Sequence, residues 1–216
     1  MKKGALFDMD GTLIDTERVY RHCWQKGIED QGYVFDPAFL KDIAGTSGAY
    51  SREVINRYYP DMDAEALRLQ VRSWVNEAVK THIPEKKGAQ ELLHFLKENG
   101  VKIALATSGT HDRINAFLKG SHLENVFDAI ISGQDLEKSK PDPCIFLKAA
   151  GEIGVAPEDC YVFEDGLNGV RAGAAAGCCT VMIPDFIQPT EAGRALCAGV
   201  YESVEAVLAA IKEGKL

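Results

Sequence analysis

More than 90 residues separate the apolar run at 4–7 from the next one at 101–106, and this gap constrains the fold more than any other feature. Five such runs recur: Gly-Ala-Leu-Phe (4–7), Val-Lys-Ile-Ala-Leu-Ala (101–106), Ala-Ile-Ile-Ser (129–132), Cys-Tyr-Val-Phe (160–163) and Cys-Thr-Val-Met-Ile (179–183). Each is short enough to be a buried strand. Helix patterns stand between them. Leu92, Leu93 and Leu96 share one face of 88–99, with Gly100 as the stop; 143–153 opens on Pro143 and carries Ile145, Phe146, Ala149 and Ala150. In 166–176 the glycines 166, 169, 173 and 177 fall at intervals of three and four, small enough to let that helix lie close on a sheet. Strand and helix in alternation predict an α/β fold, a mostly parallel sheet with helices on both faces.

A β-α-β crossover takes about a dozen residues plus short loops. The helix at 88–99 already supplies one, so the surplus is an inserted unit. It reads as helical: Val19, Cys23, Trp24 and Ile28 in 16–31; Val54, Ile55 and Tyr58 in 51–58; Leu67, Leu69, Val71, Trp74, Val75 and Val79 in 63–80. Pro60 and Pro84 punctuate it, and no strand signal interrupts it. The expected organisation is a core domain of residues 1–15 and 85–216 with a helical bundle, 16–84, inserted after the first strand.

Four polar clusters fall at or just after predicted strands. They are Asp8-Met9-Asp10-Gly11-Thr12, Thr107-Ser108-Gly109, Lys138-Ser139-Lys140-Pro141-Asp142-Pro143 and Glu164-Asp165-Gly166. In an open parallel sheet the C-terminal strand ends share one edge, where ligands bind. The clusters therefore predict one site, with carboxylates from the first and fourth, hydroxyls and amides from the second and an ammonium from the third. Asp8 and Asp10 repel each other, and burying either is costly without a cation or a proton. Other motifs fail. A calcium loop from Asp8 would need Gly and Glu where Leu13 and Val19 stand, a serine-hydrolase elbow would need Gly at Ala106, and no phosphate-binding Gly-x-x-x-x-Gly-Lys-Ser/Thr occurs.

With 24 Lys+Arg against 32 Asp+Glu the net charge is −8, which argues against nucleic-acid binding and against an anionic membrane surface. No stretch nears 18 apolar residues, and Met1-Lys2-Lys3 leads into too short an apolar run for a secretory signal. The six cysteines, without a Cys-x-x-Cys, are read as reduced thiols of a cytoplasmic protein.

Asp-Met-Asp-Gly-Thr, Thr107, Lys140 with its Pro-Asp-Pro tail, and Glu164-Asp165 resemble the four motifs of the haloacid dehalogenase-like hydrolase superfamily. The helical insertion after the first motif resembles the cap of its β-phosphoglucomutase-like branch. Residues 7–18 and 162–170 are similar to sugar-phosphate phosphatases and pseudouridine 5′-phosphatases. The resemblance implies a Rossmann-like parallel sheet with a cap closing over its edge. It implies Asp8 as the nucleophile that becomes an aspartyl-phosphate, and Asp10 as general acid and then base. It further implies Mg²⁺ held by Asp8, the main-chain carbonyl of Asp10 and Asp165 with Glu164 nearby, and phosphate held by Thr107, Ser108 and Lys140.

The second aspartate also bears on activity. Dehalogenases of the superfamily lack it and ion-pumping ATPases carry Thr there, so Asp10 points to a phosphatase or phosphomutase. The 41–51 turn matches the family's substrate-facing cap loop in position. There Gly48 replaces the distal-phosphate Arg of β-phosphoglucomutase, and Tyr20 replaces a His of its first cap helix. The expectation is a Mg²⁺-dependent phosphatase of a small phosphorylated metabolite, acting as a monomer. A β-phosphoglucomutase-type mutase is the alternative, and a non-catalytic ligand-binding protein a third reading.

Overall fold

The computed structural model describes residues 1–216 except 45, 47, 82, 83, 122, 124, 186 and 187, and leaves out the side chains of 80 and 81. Its strands are β1 (Gly4–Phe7), β2 (Lys102–Thr107), β3 (Ala129–Ser132), β4 (Cys160–Glu164), β5 (Cys179–Met182) and β6 (Gly199–Val200). They pair in parallel as one sheet in the order β3-β2-β1-β4-β5-β6. β1 is central and buried at all four positions. From it the chain winds outward through β2 and β3, then returns to β4 on the other side. That reversal opens a crevice above the ends of β1 and β4, the usual ligand site of an open sheet.

Two compact units emerge: Met1–Asp15 with Ile83–Leu216, and Thr16–His82. The division falls just before Pro84 because that segment pairs with the end of the first motif. Asp15 N–H donates to Pro84 O (2.7 Å), Lys86 N–H donates to Leu13 O (2.9 Å), and Ile14 bridges Glu85 in antiparallel fashion. In the second unit lie α1 (Thr16–Glu29), α2 (Ala38–Ile43), α3 (Gly48–Tyr58) and α4 (Ala64–Thr81). Its interior is Ile28, Phe39, Val54, Ile55 and Leu67, all fully buried. Phe39 meets Trp24 edge-on at 5.4 Å. Leu69, read from sequence as part of the apolar face, is 49% exposed, because the buried stripe of α4 runs through Leu67, Val71, Val75 and Val79 at steps of four. The 41–51 segment is not one turn: α2 reaches Ile43 and α3 starts at Gly48. Gly45 and Ser47 lie outside the described residues.

The first unit adds α5 (Ala89–Glu98), α6 (His111–Ser121), α7 (Cys144–Glu152), α8 (Leu167–Ala175), α9 (Glu191–Arg194) and α10 (Val204–Lys212). The sheet's core on one face is Leu6, Ala104, Ala106 and Val162 under Ile145, Phe146 and Ala149 of α7. α8 lies close on β4 and β5 through glycine: a Cβ at Gly173 would stand 2.6 Å from Thr180 Oγ1 and 3.0 Å from Val162. No helix among the described residues is long and apolar enough to cross a membrane. All six cysteines are free thiols.

Candidate active site

The clusters of Asp8, Thr107 and Glu164 start where the strands β1, β2 and β4 end, whereas Lys140 lies beyond the 3-10 turn Gly133–Asp135 that follows β3. Asp8 follows β1, and its amide donates to Phe163 O (3.0 Å), so the strand pairing continues up to the carboxylate. Asp8 is 6% exposed. At Gly11 the chain turns with φ +77°, a conformation that suits glycine. A Cβ there would lie 2.2 Å from Asp165 Oδ2, so the Asp165 carboxylate sits directly against the Asp10–Gly11 turn. Sequence positions 8, 10 and 165 are thereby brought to one place.

Lys140 closes the site from the side. Its Nζ donates to Asp8 Oδ1 (2.6 Å), Glu164 Oε1 (2.6 Å) and Ala106 O (3.1 Å), and lies 4.9 Å over the Phe146 ring. All three ionic side chains are less than 10% exposed. The second oxygen of Glu164 accepts the Gly166 amide (3.1 Å). Glu164, expected beside a metal, thus has both oxygens engaged and holds Lys140 in place. This arrangement needs Gly169 on α8, where a Cβ would overlap the Glu164 carboxylate at 1.8 Å.

On the other flank, Thr107 ends β2 at 1% exposure, and its hydroxyl accepts the Gly109 amide at 3.0 Å. Ser108 is exposed at the tip of this turn. The sequence reading missed Arg113, whose Nη2 ion-pairs with Asp10 Oδ1. Its signal was present: Ile114, Phe117 and Leu118 have the spacing of a buried helix face right after Thr-Ser-Gly, which puts Arg113 on the first turn of α6. Also unread were Ser132, whose hydroxyl donates to Gly109 O (2.7 Å), and the Lys86–Asp185 ion pair (2.7 Å) beyond β5.

The family model of the haloacid dehalogenase-like hydrolases matches residues 5–183, from the middle of β1 to just past β5. The chain belongs to this family. It is 30% identical over 176 residues to the phosphorylated carbohydrates phosphatase of Thermotoga maritima, covering 81% of this chain and 82% of that one. It is 30% identical over 177 residues to the fructose-1-phosphate phosphatase of Escherichia coli K12, covering 81% and 92%. Among solved structures it resembles a hydrolase of this family from Deinococcus radiodurans with bound phosphate and sodium: TM-score 0.84, 26% identity, 100% of this chain and 97% of that one.

The electrostatics of this hydrolase's site are dominated by crowded carboxylates. Asp8 is raised to about 7: burial raises it most, Lys140 pulls it down, and Glu164 and Asp10 push it up. Asp165 is raised well above the carboxylate range by burial, then by Glu164, Asp8 and Asp185. Lys140 stays cationic: burial lowers it, but Asp8 and Glu164 more than offset that. One ammonium does not neutralise this group, and a hard divalent cation would. Among the described residues no three His, Cys, Asp or Glu side chains form a metal-ligating group. Mg²⁺ does not need one, since it is commonly held by one or two carboxylates, phosphate oxygens and retained waters. Asp8, Asp165 against the Asp10–Gly11 turn, and the Asp10 carbonyl fit that all-oxygen requirement.

Proposed function

We propose that this hydrolase is a Mg²⁺-dependent phosphatase of small phosphorylated metabolites that carries the phosphoryl group on Asp8. The observation that supports it most is the buried Lys140 ammonium, 2.6 Å from both Asp8 and Glu164, at the one edge where the strand ends converge. A carboxylate nucleophile must stay anionic while buried, and a fixed cation beside it serves that need. Asp8 Oδ attacks phosphorus and the ester P–O bond breaks. Asp10 gives its proton to the departing alkoxide, then takes one from the water that displaces Asp8 from phosphorus. Thr107 and the amides of Ser108 and Gly109 hold the phosphate oxygens as charge builds on them. Mg²⁺ at Asp8, Asp165 and the Asp10 carbonyl would supply the charge neutralisation that lets two anions meet.

Two similar proteins act on phosphorylated carbohydrates and on fructose 1-phosphate, which supports a sugar phosphate as substrate. We prefer hydrolysis to transfer between sugar positions. Gly48 and Tyr20 stand where the resemblance to β-phosphoglucomutase calls for a distal-phosphate Arg and a His.

Purified protein should hydrolyse p-nitrophenyl phosphate and members of a sugar-phosphate panel, lose activity in EDTA and regain it with Mg²⁺. Asp8→Asn should abolish turnover, and Asp10→Asn should slow it by roughly 10²–10⁴. Near-normal turnover by Asp8→Asn would remove the nucleophile, and a wild-type protein inactive on the whole panel would remove the function.

A further inference from the structure

The turn that would hold phosphate, Thr107-Ser108-Gly109, does not stand alone. The segment after β3 grips it from the neighbouring strand at several points. Ser132 is the last residue of β3, in register with Thr107 and 1% exposed. Its hydroxyl donates to Gly109 O at 2.7 Å and accepts the Gln134 amide at 3.2 Å, so both of its roles are used. Gly133 lies directly against the turn: a Cβ there would stand 3.0 Å from Ser108 Cα and 3.4 Å from Thr107 O. One residue on, Gln134 Oε1 accepts the His111 amide at 3.4 Å, and Asp135 Oδ1 pairs with His111 Nε2 at 2.9 Å. These contacts join the 132–135 segment to the turn and to the first residue of α6.

We propose that Ser132 and Gly133 are positioning residues for phosphate binding: the Ser132 hydroxyl latches Gly109, and Gly133 sets how deep the Ser108 amide sits. The proposal rests on the phosphatase reading of the site. A hydroxyl buried in a strand end is ordinarily spent within its own strand or turn. Here it crosses to a loop whose amides must point inward before any ligand arrives. Donors fixed in advance need no reorganisation when charge appears, and a loose loop loses that advantage. Ser132 touches neither substrate nor metal in this arrangement, and acts only through the turn.

The test measures inhibition by inorganic phosphate and by orthovanadate, together with kcat and KM on p-nitrophenyl phosphate, at saturating Mg²⁺, with Tm recorded for each variant. Ser132→Ala should raise the phosphate inhibition constant and KM together by about three- to tenfold, the size of one lost neutral hydrogen bond, while kcat falls less than about threefold. Ser132→Thr, which keeps the hydroxyl, should return the phosphate constant toward wild type. Gly133→Ala keeps the latch but displaces Ser108, and should weaken phosphate binding in the same direction, which gives a second reading if Ser132→Ala folds poorly. A folded Ser132→Ala and a folded Gly133→Ala that both bind phosphate as wild type does would overturn the latch and leave the phosphatase intact. A wild-type protein that neither hydrolyses the ester nor binds phosphate would overturn both.

Discussion

Asp10 and Arg113 stand 103 positions apart in sequence and meet in one ion pair. A guanidinium holds a carboxylate in a defined orientation, because its donors form a rigid planar fork. If Asp10 passes a proton to the leaving alcohol, the pair fixes where that carboxylate stands. Its removal should therefore matter in proportion to how much the leaving group needs a proton. Arg113→Met is expected to lower kcat/KM for a sugar or alkyl phosphate by about tenfold or more. It should change kcat/KM for p-nitrophenyl phosphate, whose phenolate departs readily, by only about twofold. Equal losses on the two ester classes would show that Arg113 supports the fold or the phosphate and not the acid. At this scale the sequence displayed Asp8, Asp10, Thr107, Ser108, Glu164 and Asp165, because each lies at or just after a strand end and carries unusual charge or polarity for that place, and Lys140 through its Lys-Pro-Asp-Pro context in the loop before α7. It did not display Arg113 or Ser132. The spacing of Ile114, Phe117 and Leu118 could place Arg113 on a helix turn, but nothing local names its partner or that of a serine at a strand end, and their roles arise when distant segments approach. Glu164 is the intermediate case: its position was legible, but its partner Lys140 could be named only from the distances.

The glycines of α8 do two different jobs on one helix, which turns a sequence pattern into a pair of contrasting experiments. Gly169 makes room for the Glu164 carboxylate, and Gly173 makes room for Thr180 and Val162 in the sheet. A methyl at Gly173 overpacks the interface and should destabilise by about 1–3 kcal/mol, leaving kcat near normal in whatever protein remains folded. A methyl at Gly169 must push Glu164 off Lys140. That loss should cut kcat by at least about tenfold beyond any fall in Tm. Thermal melts and kinetics of Gly169→Ala and Gly173→Ala separate the two, and matching kinetic defects would refute the distinction. The same scale shows what the pattern could carry. β1 and β3 begin and end where their predicted runs do; β1 is apolar and buried at every position, whereas β3 is buried only at Ile131 and Ser132. α2, α6, α9, α10 and β6 were not read. β6 is only two residues long, too short for a periodic signal. α10 had a usable one, a Ser203 cap before Val204, Val207, Ala210 and Ile211. Reading from strand to strand passes over a helix that follows the last long strand.

Over the whole molecule the net charge of −8 and the buried acids of the site act in the same direction, so stability should depend on pH and on metal together. Asp8 sits at about 7 in the folded chain against an ordinary 3.8, and Asp165 is raised as well. Between those values the folded state binds more protons than the unfolded one. The metal-free protein therefore loses stability as pH rises from about 4 through about 7. A divalent cation takes only the ionised carboxylates, so its stabilisation grows over the same window. In EDTA, Tm should fall between pH 5 and pH 8. Added Mg²⁺ should recover little at pH 5 and much more at pH 8. At a hundredfold excess over Kd the gain is about 2.7 kcal/mol, or roughly 5–10 °C for a chain of this size. Asp8→Asn removes one of the competing charges. In EDTA at pH 8 it should melt above wild type, while losing most of the Mg²⁺ increment. This is the signature of a residue kept for chemistry at the expense of stability. A Mg²⁺ increment equal at both pH values, or an Asp8→Asn protein less stable than wild type at pH 8 without metal, would mean that the acidic cluster is not strained in the free enzyme. Charge relief would then not be what draws the cation to this edge of the sheet.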